Sequence, residues 1–310
     1  MTPVPDVQAL AAILFNVVLP VFLIAGIGFA GRRFLKLDPQ PIARLALYLL
    51  VPALLFQTLL TARLEAEEIS RIGAFAILLT IILVAVGMIS ARALGAGRAE
   101  AAGLTLAMTF INAANYGLPV NLFAFGQEGF DRAAVFVVFE NILTYTVGVF
   151  VAARGHMPWG RALGSVLSMP VLWAAIAAVT IRVTGVDLPV PVQRASVLLS
   201  GAAVPVVILL LGLQIAGMRV RRINGRVFAA VGTRLVLSPL LGLALVALLS
   251  PAPLTAKVLI LEAAMPTAVN ATLIATEFNA EPDLVSTAAL ISTAISIVTV
   301  TAWVAYLQTL

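Results

Sequence analysis

Long apolar runs, each long enough to cross a bilayer, constrain this chain more than any other feature. A transmembrane helix needs about 20 predominantly apolar residues, and runs of this length follow one another here with only short polar connections between them. The sequence therefore predicts an all-α membrane protein. The ten expected spans are 11–31, 40–61, 70–94, 100–125, 130–153, 162–183, 195–217, 225–249, 255–278 and 284–307.

The composition supports lipid as the solvent for much of the surface. Only 11% of the residues are charged and 62% are hydrophobic, whereas soluble domains carry about 25% charged residues. The chain has no cysteine, and its one histidine, His156, lies in a short polar connection, which weakens a thiol, metal or histidine-based enzyme. The net charge of +5 comes without a basic helix face, so we expect no nucleic-acid partner.

The distribution of basic residues predicts the orientation. Connections that follow odd-numbered spans hold twelve Lys and Arg residues, against six in the termini and the other connections. The positive-inside rule then places the odd connections in the cytoplasm of a bacterial cell, with both termini outside the inner membrane.

Prolines recur at a near-constant offset along the chain and suggest an internal repeat. Chance is the alternative, because proline is common in membrane helices. Each matched pair falls in corresponding spans of two five-span halves. Since five is odd, similar halves cross the bilayer in opposite directions, an arrangement typical of secondary transporters. The pairs are Pro20 and Pro170, Pro52 and Pro205, and Pro119 and Pro266.

The fourth and ninth spans carry polar residues and a proline at mid-membrane, at 109–120 and 262–272. Proline removes a backbone donor and disrupts the helix. Backbone groups freed in this way must line a cavity or lie buried in protein, so we expect two broken helices around a binding site. The alternative is a pair of kinked helices whose asparagines bond across an interface.

The motifs Asn-Ala-Ala-Asn-Tyr-Gly-Leu-Pro (112–119) and Ala-Ala-Met-Pro (263–266) resemble those of the auxin efflux carrier family, within the bile acid/sodium symporter superfamily. Similar stretches extend over essentially the whole chain, at 19–29, 49–56, 209–216 and 275–293. The family includes plant auxin exporters and bacterial permeases for malate or malonate. The long hydrophilic central loop of the plant carriers is absent here, which disfavours auxin itself as the substrate.

This resemblance implies ten helices in two inverted repeats, with the broken fourth and ninth helices crossing at their prolines. It also implies a homodimer and elevator-type alternating access. The scaffold would comprise 11–61 and 162–217, and the transport domain 70–153 and 225–307. Asn112 matches the crossover asparagine that contacts substrate in the plant carriers, and Pro119 and Pro266 match the crossover prolines.

A small organic anion is the expected substrate, because half-helix N-termini and asparagine amides would donate hydrogen bonds to a carboxylate. A membrane enzyme or a channel is the rival class, but neither a convergent catalytic set nor a filter motif is present. The predicted substrate-binding residues are Asn112, Asn115, Tyr116, Pro119, Pro266, Thr267, Asn270 and Arg234.

Three charged residues lie well inside spans, where each is a functional hypothesis by default. Arg234 would attract an anion, or pair with a glutamate or a helix C-terminus. Glu262 is a candidate carrier of a coupling proton or sodium ion, since the bile acid symporters carry a glutamate just before the same crossover. Glu140 is a second candidate, with a structural role as its alternative. We expect no other cofactor.

Overall fold

The computed structural model describes residues 7–62, 64–153, 164, 167–221 and 223–310, and within these ranges the architecture is helical. Within the described residues, seven helices are long and apolar enough to cross a membrane: α1 (Val7–Leu35), α2 (Pro39–Thr61), α3 (Ala66–Ala93), α5 (Ala113–Ala152), α7 (Val190–Gly217), α8 (Gly225–Leu249) and α11 (Pro282–Thr309). Shorter helices are α4 (Arg98–Thr109), α6 (Pro170–Thr184), α9 (Pro253–Ala263) and α10 (Val269–Glu277). The polar connection with His156 lies outside the described residues.

Large apolar side chains face outward along the long helices, as expected for a protein embedded in lipid. Phe34 of α1 is 80% exposed, Leu248 of α8 is 72% exposed and Val298 of α11 is 71% exposed. Soluble monomers rarely expose large contiguous apolar surface. Together with the seven apolar helices, this surface makes the chain a multi-pass membrane protein.

At four prolines inside the spans, the helix widens into a π-helical turn and does not break. Four five-residue π-helical turns end two positions before a proline. Proline clashes with the carbonyl four residues earlier and provides no N–H for it, and a widened turn relieves both problems. The turns are Leu14–Val18 before Pro20, Ala46–Leu50 before Pro52, Ala113–Gly117 before Pro119, and Thr233–Leu237 before Pro239.

The first break lies within the predicted segment 109–120 but before Pro119, the proline at which the resemblance placed the crossing. The helix between α4 and α5 is interrupted at residues 110–112, where the backbone of Phe110 is extended (φ −87°, ψ 133°). Pro119 lies inside α5, beyond the π-helical turn. We call residues 110–112 the first break. The predicted connection after 125 is a kink within α5, where Gly126 adopts φ 67° and ψ −163°.

The second break, residues 264–268, separates α9 from α10 and contains Pro266, as predicted. The two breaks meet in an antiparallel bridge between Ile111 and Thr267. Four half-helices thus converge on one short pair of extended segments in the interior of the protein.

Helices α1 and α7 pack closely enough that only glycine fits at two contacts. A Cβ added at Gly28 would lie 3.0 Å from the carbonyl carbon of Leu209, and one added at Gly212 would lie 2.8 Å from the backbone nitrogen of Phe29. Small residues at such contacts let membrane helices approach through their backbones.

Candidate functional site

The two breaks bind each other through reciprocal backbone hydrogen bonds. The amide of Asn112 donates to the carbonyl of Pro266 at 2.9 Å, and the amide of Ala268 donates to the carbonyl of Phe110 at 2.9 Å. Buried backbone groups need partners, and lipid provides none. The bridge thus replaces part of the hydrogen bonding lost where the helices stop.

Side chains from neighbouring helices satisfy the two amides that the bridge leaves unpaired. Ile111 N–H donates to Oε1 of Glu140 at 3.1 Å, and Thr267 N–H donates to Oγ of Ser292 at 3.2 Å. Glu140 therefore supports the first break directly, as Ser292 supports the second.

Arg234 of α8 donates hydrogen bonds to carbonyls at the C-terminal ends of the two helices that lead into the breaks. Its guanidinium donates to the carbonyls of Met108 and Thr109 at 3.2 and 3.3 Å, and to those of Ala263 and Met265 at 3.0 and 3.1 Å. The side chain is fully buried. The last carbonyls of a helix have no partner within that helix, and here one cation binds those of both α4 and α9.

The opposite, amide-rich ends of the breaks face a cavity. The first amides of α5 and α10 have no acceptor in their own helices, and helix N-termini attract anions. Asn115 and Asn270 line a cavity of about 280 Å³, and with Asn112 they also line a smaller adjoining pocket of about 30 Å³. Asn112 is 4% exposed, and its Nδ2 has no hydrogen-bond partner among the described residues, so a buried donor is available to a ligand.

No Lys or Arg lines either cavity within the described part of the chain. The polar lining consists of amides, hydroxyls and one carboxyl group, that of Glu140, in the smaller pocket. A ligand there meets hydrogen-bond donors and partial positive charge instead of a full countercharge. Sequence reasoning did not assign the following lining residues to the site, although polar residues at 141–145 within a span were a usable signal: Tyr48, Asn141, Tyr145 and Gln214.

Five of the eight predicted substrate-binding residues do not line these cavities. Tyr116 is fully buried and packs edge-on against Phe22, with ring centroids 5.5 Å apart. Thr267 donates its hydroxyl to the carbonyl of Ala107 at 2.8 Å, and Arg234 binds the four carbonyls described above. Pro119 lies in α5 beyond the break.

Pro266 contributes to the second break through its carbonyl, which accepts the amide of Asn112. Neither cavity has it in its lining.

Glu262 lies in α9 against the π-helical turn of α5. Its side chain is fully buried, and its Oε1 accepts a hydrogen bond of 2.8 Å from Nδ2 of Asn121. Its other oxygen, Oε2, has no hydrogen-bond partner in the part of the chain that the structure describes. An added Cβ at Gly117 would lie 2.6 Å from Oε1, so glycine is the residue that leaves room for this carboxyl group.

Apolar spans, two helix breaks and a cavity lined by polar groups are features of a multi-pass membrane transporter. The chain belongs to the family described as membrane transport protein, which matches residues 13–158 and 162–304. This membership identifies a transporter and not an enzyme.

Relatives with transporter names match the chain over most of its length. An "Uncharacterized transporter" of Methanothermobacter thermautotrophicus is 28% identical over 284 residues, which cover 91% of this chain and 92% of the relative. A "Putative malonate transporter" of Rhizobium meliloti is 28% identical over 300 residues, covering 92% and 93%. The relatives thus support transport as the common activity.

Proposed function

We propose that this protein is a secondary transporter of small organic anions, such as malonate or malate, which bind at the meeting point of the two breaks. The observation that carries the proposal is the convergence of two half-helix N-termini and three asparagines on two adjoining cavities: Asn115 and Asn270 line both, and Asn112 lines the smaller one. The name of one relative, "Putative malonate transporter", supports a small dicarboxylate as the substrate.

The absence of a full positive charge from the lining of the described cavity suits a carrier. Each helix N-terminus contributes roughly half a positive charge, so two termini attract a carboxylate without a salt bridge. Asparagine amides add neutral hydrogen bonds that fix its orientation. Release into water then replaces these bonds at modest cost, so that the substrate does not remain trapped.

Alternating access by two inverted five-helix repeats is part of the proposal, and reciprocal contacts support it. Arg71 at the start of α3 donates to the carbonyl of Leu249 at the end of α8, while Arg226 at the start of α8 donates to that of Leu94 at the end of α3. The bridge between the breaks is reciprocal in the same way. Ten spans in a homodimer with outside termini complete the arrangement that we propose.

The cavity adjoins the starts of α2 and α6 and the end of α7, near Ala43, Ser168 and Gln214. These ends belong to the arginine-rich connections expected in the cytoplasm. On this orientation, the site communicates with the cytoplasmic side, as in an inward-facing state of an elevator-type carrier.

For coupling, we propose a proton carried by Glu262. Its Oε2 is a buried acceptor without a partner, and a buried polar group in that condition is costly. A proton on this carboxyl group removes a buried negative charge that no ion pair offsets among the described residues, whereas a metal cation requires several oxygen ligands. Sodium-coupled symport, as in the bile acid symporters, is the alternative, and a proton gradient imposed without sodium distinguishes the two.

Transport of labelled malonate and malate into proteoliposomes tests the proposal. Asn115→Leu and Asn270→Leu should each abolish saturable uptake, because they remove donors and fill the cavity. Thr276→Leu, on an exposed position of α10, is the matched control and should leave uptake unchanged. Failure of the unmodified protein to move any mono- or dicarboxylate, under either a proton or a sodium gradient, would refute the proposal.

A further inference from the structure

The guanidinium of Arg234 is placed to act on the geometry of the breaks without touching substrate. It binds carbonyls of Met108 and Thr109 on one side and of Ala263 and Met265 on the other. Met108 and Thr109 end α4, Ala263 ends α9 and Met265 lies in the second break, so one side chain joins two helices that are far apart in sequence. The cavity lies at the amide ends of α5 and α10, beyond the breaks.

The charge of Arg234 is balanced by the helices and not by an ion pair. Among the described residues, no carboxylate lies within 4.0 Å of it, and Glu140 is close enough only for a longer-range interaction. A helix C-terminus carries roughly half a negative charge. Two such termini together therefore offset about one positive charge, which is the charge of a single guanidinium.

The local structure of α8 orients this side chain. Arg234 lies in the π-helical turn Thr233–Leu237, and Ser238, four residues later, donates its hydroxyl to the same Ala263 carbonyl at 2.8 Å. Residues four apart share a helix face, so Arg234 and Ser238 donate from one face of α8 to carbonyls at the ends of α4 and α9. The planar fork of arginine suits several fixed acceptors better than the point charge of lysine does.

We propose that Arg234 is a positioning residue, a tethered cation that holds the carbonyl ends of α4 and α9 together and thereby keeps the two breaks paired. Its effect on substrate is indirect, through the amides of the breaks, and that consequence rests on the proposed function. The tethering itself does not depend on the proposed function, because it can be measured without substrate.

Chemical rescue tests the tethering. Arg234→Ala, purified as the full chain in detergent, should melt at a lower temperature than the unmodified protein. Guanidinium chloride at low millimolar concentration should restore part of this loss, whereas equal urea, which has a similar shape but no charge, should not. Arg33→Ala, which removes an exposed arginine of α1, is the matched control and should show no rescue. Equal effects of guanidinium and urea on Arg234→Ala would overturn the proposal.

Amide exchange gives a readout specific to the breaks and covers the case in which Arg234→Ala does not fold. In Arg234→Lys, exchange at the amides of Asn112 and Ala268 should be about tenfold faster or more, equivalent to about 1.4 kcal/mol of local opening. Exchange and melting identical to those of the unmodified protein would contradict the proposal. Because neither measurement uses substrate, a failed transport assay would leave the outcome of both measurements unchanged.

Discussion

Two substitutions of Glu140 distinguish its hydrogen bond to the first break from the effect of its charge. Its Oε1 accepts the amide of Ile111 at 3.1 Å, and both residues are 5% exposed. Glu140→Ala leaves a buried N–H without a partner, which costs about 1–3 kcal/mol, and the cavity left by the side chain adds to that loss. Glu140→Gln retains an acceptor oxygen in the same position, so we expect it to cost about 1 kcal/mol or less, the difference between a charged and a neutral acceptor.

Denaturant or thermal unfolding in detergent measures these changes, and amide exchange at Ile111 localises them. Glu128→Ala is the matched control, because Glu128 lies on the same helix with its side chain 80% exposed, and exposed substitutions stay within about 0.5 kcal/mol. If the alanine and glutamine variants lost the same stability, support of the amide would not be the role of Glu140. Transport that survives in the glutamine variant would also remove Glu140 from the candidates for a coupling group.

Three further changes test other contacts. Gly117→Ala should lower stability and transport, because the new Cβ would lie 2.6 Å from Oε1 of Glu262; melting temperature and malonate uptake measure this, and an unchanged variant would mean that the carboxyl group moves freely. Gly212→Ala should destabilise the packing of α1 on α7 by about 1–3 kcal/mol, since the backbone of Phe29 blocks the site; thermal unfolding with wild-type stability would contradict the close packing. Ser292→Ala should cost about 1–3 kcal/mol by removing the acceptor of an amide in the second break, and unchanged exchange of that amide would exclude this role.

The membrane class and the two breaks were predictable because lipid imposes simple rules on sequence. A bilayer requires long apolar runs, and polar residues such as Asn112 and Asn270 at mid-span are unusual unless they face a cavity. Their placement at the candidate site agrees with that reasoning. The assignment of both glutamates to coupling remains a prediction, whereas Arg234, predicted to bind substrate, binds backbone carbonyls.

The exact position of the first break was not predictable from Pro119. A proline indicates a disturbed helix, but the residues before it do not reveal whether the chain unwinds or widens into a π-helical turn. The partners of buried charges were equally hidden. Glu140 binds an amide 29 positions away, and Arg234 binds a carbonyl 126 positions away, so only the folded chain brings these groups together.

The buried position of Arg234 has a consequence for the order in which the protein is made. When α8 enters the membrane during synthesis, α4 is already there, but α9 follows in the chain and has not yet entered. Only the carbonyls of Met108 and Thr109 are then available to the guanidinium. An arginine at mid-helix adds about 2.5–3.5 kcal/mol to the cost of insertion. The guanidinium therefore gains its remaining acceptors only when α9 inserts. We accordingly expect α8 and α9 to reach their final positions in the bilayer together.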